Sequence, residues 1–393
     1  MEKRKESISE EKNKRTTIGI LSVAHLANDM YSNFIPQLLP FLIALGIVNV
    51  TTGATLVGVF TITSSISQPI FGYLVDQRNM GWFVYIGTLW MSILLCVTGF
   101  IPNYGLLLVI TAAAGLGTAA FHPQANAMVG HASGTRKGFI LASFVAMGNI
   151  GAAFSPLIFL NLFSIFGIHS TVLAVIPGII VTFMLYFFVP KHKENKNTNK
   201  GMGQVLSALK KSSKELTKLV IVVALRSLVN TGVTMLLPLY FLEKSFSHEI
   251  VSYLMFATLA SGAVGSLIGG YISDKYGRKL VIVSSLFLSA IFFYGFFYTA
   301  GIISIIFLAL GGMALLSSFS VTVAFAQDII PENKAMASGI SLGFAIGIGG
   351  LAVTPLGRLA DLYGIGSALH AAFIIPIVAG LIALNLKNDK KAV

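Results

Sequence analysis

The chain is written in long apolar runs with short polar or glycine-containing breaks between them. The runs cover roughly 17–44, 51–75, 80–101, 104–128, 136–161 and 167–189, then 217–242, 249–273, 278–299, 302–328, 334–359 and 365–386. Each is about 20 residues or longer, enough for a helix to cross about 30 Å of hydrocarbon. They are numbered spans 1 to 12 below. Between the two sets of six, residues 190–216 break the pattern with Lys191-His192-Lys193-Glu194-Asn195-Lys196-Asn197 and read as a solvated cytoplasmic linker. Residues 1–16 are polar and mixed in charge, so a disordered tail is expected there, and 388–393 form a short C-terminal tail. The predicted fold class is an all-α membrane protein. Its twelve transmembrane helices fall into two pseudo-symmetric six-helix bundles, 17–189 and 217–387.

The two bundles are copies of one plan. Gly72-Tyr73-Leu74-Val75-Asp76 returns as Gly270-Tyr271-Ile272-Ser273-Asp274, 198 residues later. Pro40 and Pro238 share that offset. In span 5, Gly148 to Leu157 matches Gly347 to Leu356 of span 11 at an offset of 199. Such a repeat predicts two parallel halves about an axis along the membrane normal, with a site between them near the midplane.

Composition agrees with lipid as the main solvent: 55% of the 393 residues are hydrophobic and only 11% charged, against about 25% charged in soluble domains. The net charge of +12 is no sign of nucleic acid, because the basic residues cluster by topology. They fill the N-tail, the linker, the C-tail and the even-numbered loops, and Lys244 alone lies in an opposite loop. The positive-inside rule then puts both termini, the linker and both Gly-Tyr-x-x-Asp turns in the cytoplasm. The first run follows a charged tail and is too long for a signal-peptide core, so no cleaved leader is expected. One cysteine, Cys96, excludes an intramolecular disulfide. No His-Glu-x-x-His, Ser-His-Asp set, metal cluster or phosphate loop is visible, so neither an enzyme, a metal nor a cofactor is predicted.

Gly270 to Lys279 reads Gly-Tyr-Ile-Ser-Asp-Lys-Tyr-Gly-Arg-Lys. It closely resembles the loop 2–3 signature of the major facilitator superfamily, Gly-x-x-x-Asp-Arg-x-Gly-Arg-Lys/Arg. The first copy keeps Gly72, Asp76 and Arg78, then departs at Asn79 and Met80. Two further stretches, Ala24 to Tyr31 and Gly115 to Ala125, resemble the fosmidomycin-resistance group of bacterial and archaeal exporters. The resemblance implies the major facilitator fold, a multi-pass place in the cytoplasmic (inner) membrane of a prokaryote, and proton-driven efflux of a small organic compound or drug, for which a monomer suffices. A proton-coupled importer of a small anionic metabolite is the alternative on the same fold. A membrane enzyme and a non-transporting sensor are the rivals from other classes.

Ionisable groups inside spans are costly, by at least about 2.5–3.5 kcal/mol at a helix centre. Asp29 sits near mid-depth in span 1, with His25 one turn earlier on the same face. The pair is the candidate for proton coupling; the alternative is a structural acid holding span 1 to a neighbour. His122, beside Pro123 in span 4, is either a pathway residue or a ring that satisfies carbonyls freed by the proline. Arg226 in span 7 must face an acid, a cavity or an anionic substrate. The 198-residue offset pairs it with Asn28, which suggests an ion pair of Arg226 with Asp29 across the cavity. Asn28, Gln124 and Asn149 complete the candidate substrate path. Arg358 and Asp361, spaced i,i+3 at the outer end of span 11, form either a local ion pair or an outer gate. Gly72, Asp76 and Arg78, with Gly270, Asp274 and Arg278, form the candidate cytoplasmic latches. By resemblance, Asp76 would meet the start of span 11 and Asp274 the start of span 5, each on a helix N-terminus. Span 5 carries Gly151-x-x-x-Ser155-Pro156, close to the Gly-x-x-x-Gly-Pro of superfamily antiporters.

Overall fold

A computed structural model describes residues 2–78, 82–133, 137–189, 202–330 and 340–387, and among these there is no strand. Eleven helical stretches among them are long and apolar enough to cross a membrane, and they coincide with spans 2 to 12, from Val50–Gly72 to Ile365–Ala383. Span 1 is the twelfth. His25, Asn28, Asp29, Asn33 and Gln37 make it less apolar than the others, yet Leu21, Tyr31, Phe34 and Leu38 along it are fully buried.

Span 1 is built from two helices, Glu2–Ser32 and Phe34–Ala44, with a break at Asn33. Pro36 causes the break, since it offers no N–H to the preceding turn. At the break Asn33 N turns to Met30 O at 3.3 Å, its Nδ2 donates instead to Asp29 O at 3.2 Å, and Ser32 Oγ adds a bond to Asn28 O at 3.1 Å. The break therefore falls one turn beyond Asp29. The two prolines related by the repeat are absorbed differently. Pro156 opens a π-helical turn, Pro156–Leu160, whereas Pro355 starts a new helix, Thr354–Tyr363, after a gap that follows Ile346–Leu351.

Two expected coils are helical. The helix of span 1 begins at Glu2, inside the tail expected to be disordered, and that of span 7 begins at Met202, inside the expected linker. Residues 2–18 contain neither Gly nor Pro, and Glu10–Lys14 and Glu11–Arg15 stand at i,i+4. Each helix propagates outward from its span through good helix formers. The rest of the linker, 190–201, and the tail 388–393 lie outside the described residues.

The halves meet along two seams, span 2 against span 11 and span 5 against span 8. On the face away from the termini a single apolar core draws on both halves, with Phe34, Leu38, Phe159, Leu236, Met255 and Phe373 among its members. Toward the termini the core divides. One cluster belongs to the N-terminal half, around Val84, Phe121 and Phe144, and another to the C-terminal half, around Leu219, Ile282 and Phe325. The apolar core is thus joined across the halves at one face and split between them at the other.

Candidate functional site

A polar cluster is built on spans 1, 4 and 5 of the N-terminal half. His25 and Asp29 are one helical turn apart, and His25 Nε2 lies 3.3 Å from Asp29 Oδ2. His122, in the helix Tyr104–Ala132 just before Pro123, brings its Nε2 to 3.3 Å from Asp29 Oδ1. One carboxylate is thereby held between two imidazoles from different spans. His25 is buried, while Asp29 and His122 are partly exposed. The His25 ring stacks on Phe144 with centroids 4.2 Å apart, and its Nδ1 lies 2.8 Å from Phe144 O. A carbonyl only accepts, so Nδ1 carries a proton and Nε2, facing Asp29, is the nitrogen whose protonation can change.

Span 5 closes the cluster from the third side by backbone rather than side chain. A Cβ on Gly148 would run into Asp29 Oδ2 and His25 Nε2, and one on Gly151 into the carbonyl of Leu26. Both glycines are needed for span 5 to approach span 1 this closely. Gly148 and the Phe144 carbonyl were not among the expected site residues. The repeat marks Gly148, but nothing in the sequence says which atoms it makes room for.

The other expected path residues are dispersed. Asn28 is fully buried and turns into its own bundle, where Nδ2 reaches Thr88 Oγ1 at 3.5 Å. Gln124 is buried as well, and among the described residues neither Asn28 Oδ1 nor Gln124 Oε1 has a hydrogen-bond partner. Asn149 is half-buried beside Gly148. Arg226 does not pair with Asp29. It is buried in the C-terminal half, with Nη1 donating to Thr322 Oγ1 at 3.1 Å and Ser318 Oγ at 3.5 Å, and its guanidinium lies 5.2 Å from the Phe319 ring centre. No carboxylate lies within ion-pair distance of it among the described residues. Asn28 and Arg226 are equivalent by the repeat and both point into their own half, so the offset that suggested the ion pair in fact argues against it.

At the joined face, the Asp361 carboxylate accepts from Val50 N at 3.1 Å, Thr51 N at 2.8 Å and Thr51 Oγ1. It caps the first turn of span 2, which belongs to the other half, and satisfies N–H groups that a helix start leaves free. A local Arg358–Asp361 ion pair is not formed. Arg358 is exposed at the same helix end. On the second seam Asn161 Nδ2 donates to Ser252 Oγ at 3.1 Å and Phe154 meets Phe256 at 5.2 Å.

At the split face, Asp274 spends its carboxylate within its own half, on Arg278 Nη1 at 2.7 Å, and Arg278 Nε also reaches Asp328 Oδ2 at 3.0 Å. Gly277 between them has φ of 101°, a conformation that favours glycine and sets the turn of the motif. A Cβ on Gly270 would meet only Ser320 Oγ, at 3.4 Å, and one on Gly72 only Pro123, at 3.6 Å. The side chains of Asp76 and Arg78, and residues 134–136 at the start of span 5, lie outside the described residues.

A cluster of metal ligands was not expected from the sequence. The fold nonetheless brings His25, Asp29 and His122 together, with one ligand atom from each within 4.8 Å of the others.

Comparison with known proteins agrees with this architecture. The family model of the Major Facilitator Superfamily matches residues 19–261 and 219–391. The chain is 28% identical to the fosmidomycin resistance protein of Escherichia coli (strain K12), covering 96% of this chain and 94% of that one. It is 26% identical to the uncharacterized MFS-type transporter YfnC of Bacillus subtilis (strain 168), covering 95% and 93%. It is 27% identical to the multidrug resistance protein MdtG of Dickeya zeae (strain Ech586) over 59% of each. Among solved structures it resembles the nucleoside transporter NupG, with a TM-score of 0.78 at 14% identity over 94% of this chain and 99% of that one. It also resembles a bacterial homologue of the human lysosomal transporter Spinster, with a TM-score of 0.75 at 14% identity over 94% and 96%.

Proposed function

The chain belongs to the major facilitator superfamily, and on that premise we propose that it exports a small organic compound in exchange for protons, by alternating access. The observation that carries the coupling is the Asp29 carboxylate held between His25 and His122 in the N-terminal half. A carboxylate there takes and gives up one proton, and an imidazole on either side gives the moving proton a place to rest. The export direction is supported by the relatives named for fosmidomycin and multidrug resistance.

The basic tails and loops support placing the termini in the cytoplasm of a prokaryotic inner membrane, and the cycle includes a state in which the divided face is open to it. In that state the site releases its proton and takes substrate, with His122, Gln124 and Asn149 on the path. Arg226 in the opposite half supplies a positive charge toward any acidic group of the cargo. The halves then rock about their seams, and the Asp361 cap on span 2 breaks as the outer gate opens. Asp29 takes a proton from outside and the cargo leaves. The turns with Gly72, Asp76 and Arg78, and with Gly270, Asp274 and Arg278, latch the cytoplasmic side in that second state. A monomer contains every part of this cycle.

A second reading, proton-coupled import of a small anionic metabolite, is favoured by one observation: Arg226 is a buried cation whose partners among the described residues are two hydroxyls and a ring. Everted vesicles separate the two. With an acidified lumen and fosmidomycin as the first probe of a resistance panel, substrate addition should release protons from the lumen. Protons moving in the same direction as substrate would overturn antiport. Unchanged pH dependence of transport in Asp29→Asn would overturn the coupling role.

A further inference from the structure

We infer that His25, Asp29 and His122 form a binding site for one divalent transition-metal ion of the zinc class. Among the described residues this is the one group of three metal-ligating side chains whose donor atoms converge. The inference stands on geometry and donor type, and it does not depend on whether the same carboxylate carries protons during transport.

The spacing matches the ion. Zinc binds imidazole nitrogen and carboxylate oxygen at about 2.0–2.2 Å, so the edges of its tetrahedron measure about 3.3–3.5 Å. Both imidazole-to-carboxylate separations here are 3.3 Å. The two imidazoles face different oxygens of the carboxylate, and the three donor atoms lie within 4.8 Å of one another, so an ion bonded to both nitrogens and to the carboxylate draws the donors together by about 1 Å.

The donors also point the right way. Because Nδ1 of His25 is committed to the Phe144 carbonyl at 2.8 Å, a neutral His25 presents the lone pair of Nε2 to Asp29. Two acceptors at 3.3 Å repel unless a cation sits between them. A proton answers that need, and so does a metal. Holding a ligating histidine by its other nitrogen on a backbone carbonyl is the usual support of a zinc site. Stacking on Phe144, and the backbone of span 5 brought close at Gly148, leave the His25 ring little room to turn.

Donor chemistry narrows the ion. Two imidazoles and one carboxylate suit zinc, cobalt, nickel or copper, whereas calcium and magnesium need oxygen shells that this cluster lacks. Three protein ligands leave a fourth position for water or another small donor, the pattern of an exchangeable rather than a structural site. Asp29 and His122 are partly exposed, so an ion has a way in.

The test uses the untagged full chain, purified in detergent, without substrate or gradient. Calorimetric titration with Zn²⁺ should give one ion per chain, and X-ray absorption of the loaded protein should count two imidazoles with oxygen completing the shell. His122→Gln and Asp29→Asn should each weaken binding at least about tenfold, in protein that elutes as a single species. Three results would overturn the inference: no saturable binding by folded wild-type protein, an absorption spectrum without an imidazole pair, or binding unchanged in both variants. Should the variants fail to fold, the absorption spectrum of the wild type decides. Absent zinc binding leaves the proton reading intact. Conversely, zinc binding with unchanged pH dependence in Asp29→Asn removes the proton reading alone.

Discussion

The two halves share a scaffold and differ in their chemistry. In the N-terminal half three ionisable groups from two spans face one another around Asp29. In the C-terminal half the repeat puts Ser227 at the place of Asp29 and Arg226 at the place of Asn28. Among the described residues Arg226 has no carboxylate beside it and is held by Ser318, Thr322 and the Phe319 ring. Either charge inside a membrane protein costs several kcal/mol unless its setting compensates, so neither is incidental. The scaffold residues that did repeat, such as Gly148 with Gly347 and Pro156 with Pro355, set how helices approach. The residues that diverged give each half its own charged group: an acid between two imidazoles in the first, a guanidinium in the second.

The largest effects should come from removing the distinctive group of each half. Asp29→Asn should bring gradient-driven transport to background in everted vesicles and abolish its response to an imposed pH gradient. Arg226→Ala should also abolish net transport, but Arg226→Lys should recover part of it because the charge returns without the planar fork. Wild-type activity in Arg226→Ala would break the division of labour. Partial activity in Lys and none in Ala would sharpen it.

Next in size is Gly148→Ala. Its Cβ meets Asp29 and His25 directly, and overpacking of this kind costs about 1–3 kcal/mol. Transport should fall and the thermal unfolding midpoint in detergent should drop. The equivalent Gly347→Ala meets only carbon atoms of Ser65, Ile66 and Ile62, all at 3.2 Å or more. It should be milder in both measurements, and equal losses would show that the clash with the cluster is not what matters.

Much of this was legible in the chain. Twelve apolar runs, the 198-residue repeat and the i,i+4 pairing of His25 with Asp29 follow from periodicity and need no tertiary knowledge. His122 could be named as a candidate, but its meeting with Asp29, 93 residues away, depends on helix rotation and depth, which an apolar run does not encode. Arg226 shows the same limit. A repeat tells which positions are equivalent, not which ones face each other, and here equivalence meant that both turn into their own bundles. The spacing of Arg358 and Asp361 leaves a local ion pair and an outer gate both open, and only the fold shows that Asp361 meets the start of span 2 in the other half.

The seams allow a finer comparison. Span 11 holds span 2 through the charged cap of Asp361, whereas span 5 holds span 8 through the neutral Asn161–Ser252 bond. Asp361 is exposed, so its interaction with the helix start is screened and contributes about 0.3–1 kcal/mol. Asp361→Asn should therefore shift the balance toward the outward-open state by roughly fivefold at most, read as cysteine accessibility near Val50 from the outer side. Asn161→Ala should shift it less, since such bonds average about 0.6 kcal/mol. The reverse order would mean that the second seam dominates the gate.

The smallest effect concerns the two Gly-Tyr-x-x-Asp turns, which diverge directly after the acid. Asp274 is followed at i,i+4 by Arg278, which binds it and also Asp328. Asp76 is followed at the same distance by Met80. Asp274→Asn therefore loses an ion pair within its own half, worth a few tenths of a kcal/mol at an exposed site, in addition to any latch contact with the other half. A methionine offers Asp76 no cation there, so the sequence provides no ion pair of that spacing for Asp76→Asn to remove. The two variants should disturb transport unequally for this reason. Arg278→Met makes the second turn like the first at this position, and in that background the effect of Asp274→Asn should fall to match that of Asp76→Asn. If the inequality survives Arg278→Met, it originates in the latch contacts across the halves and not in the local pair.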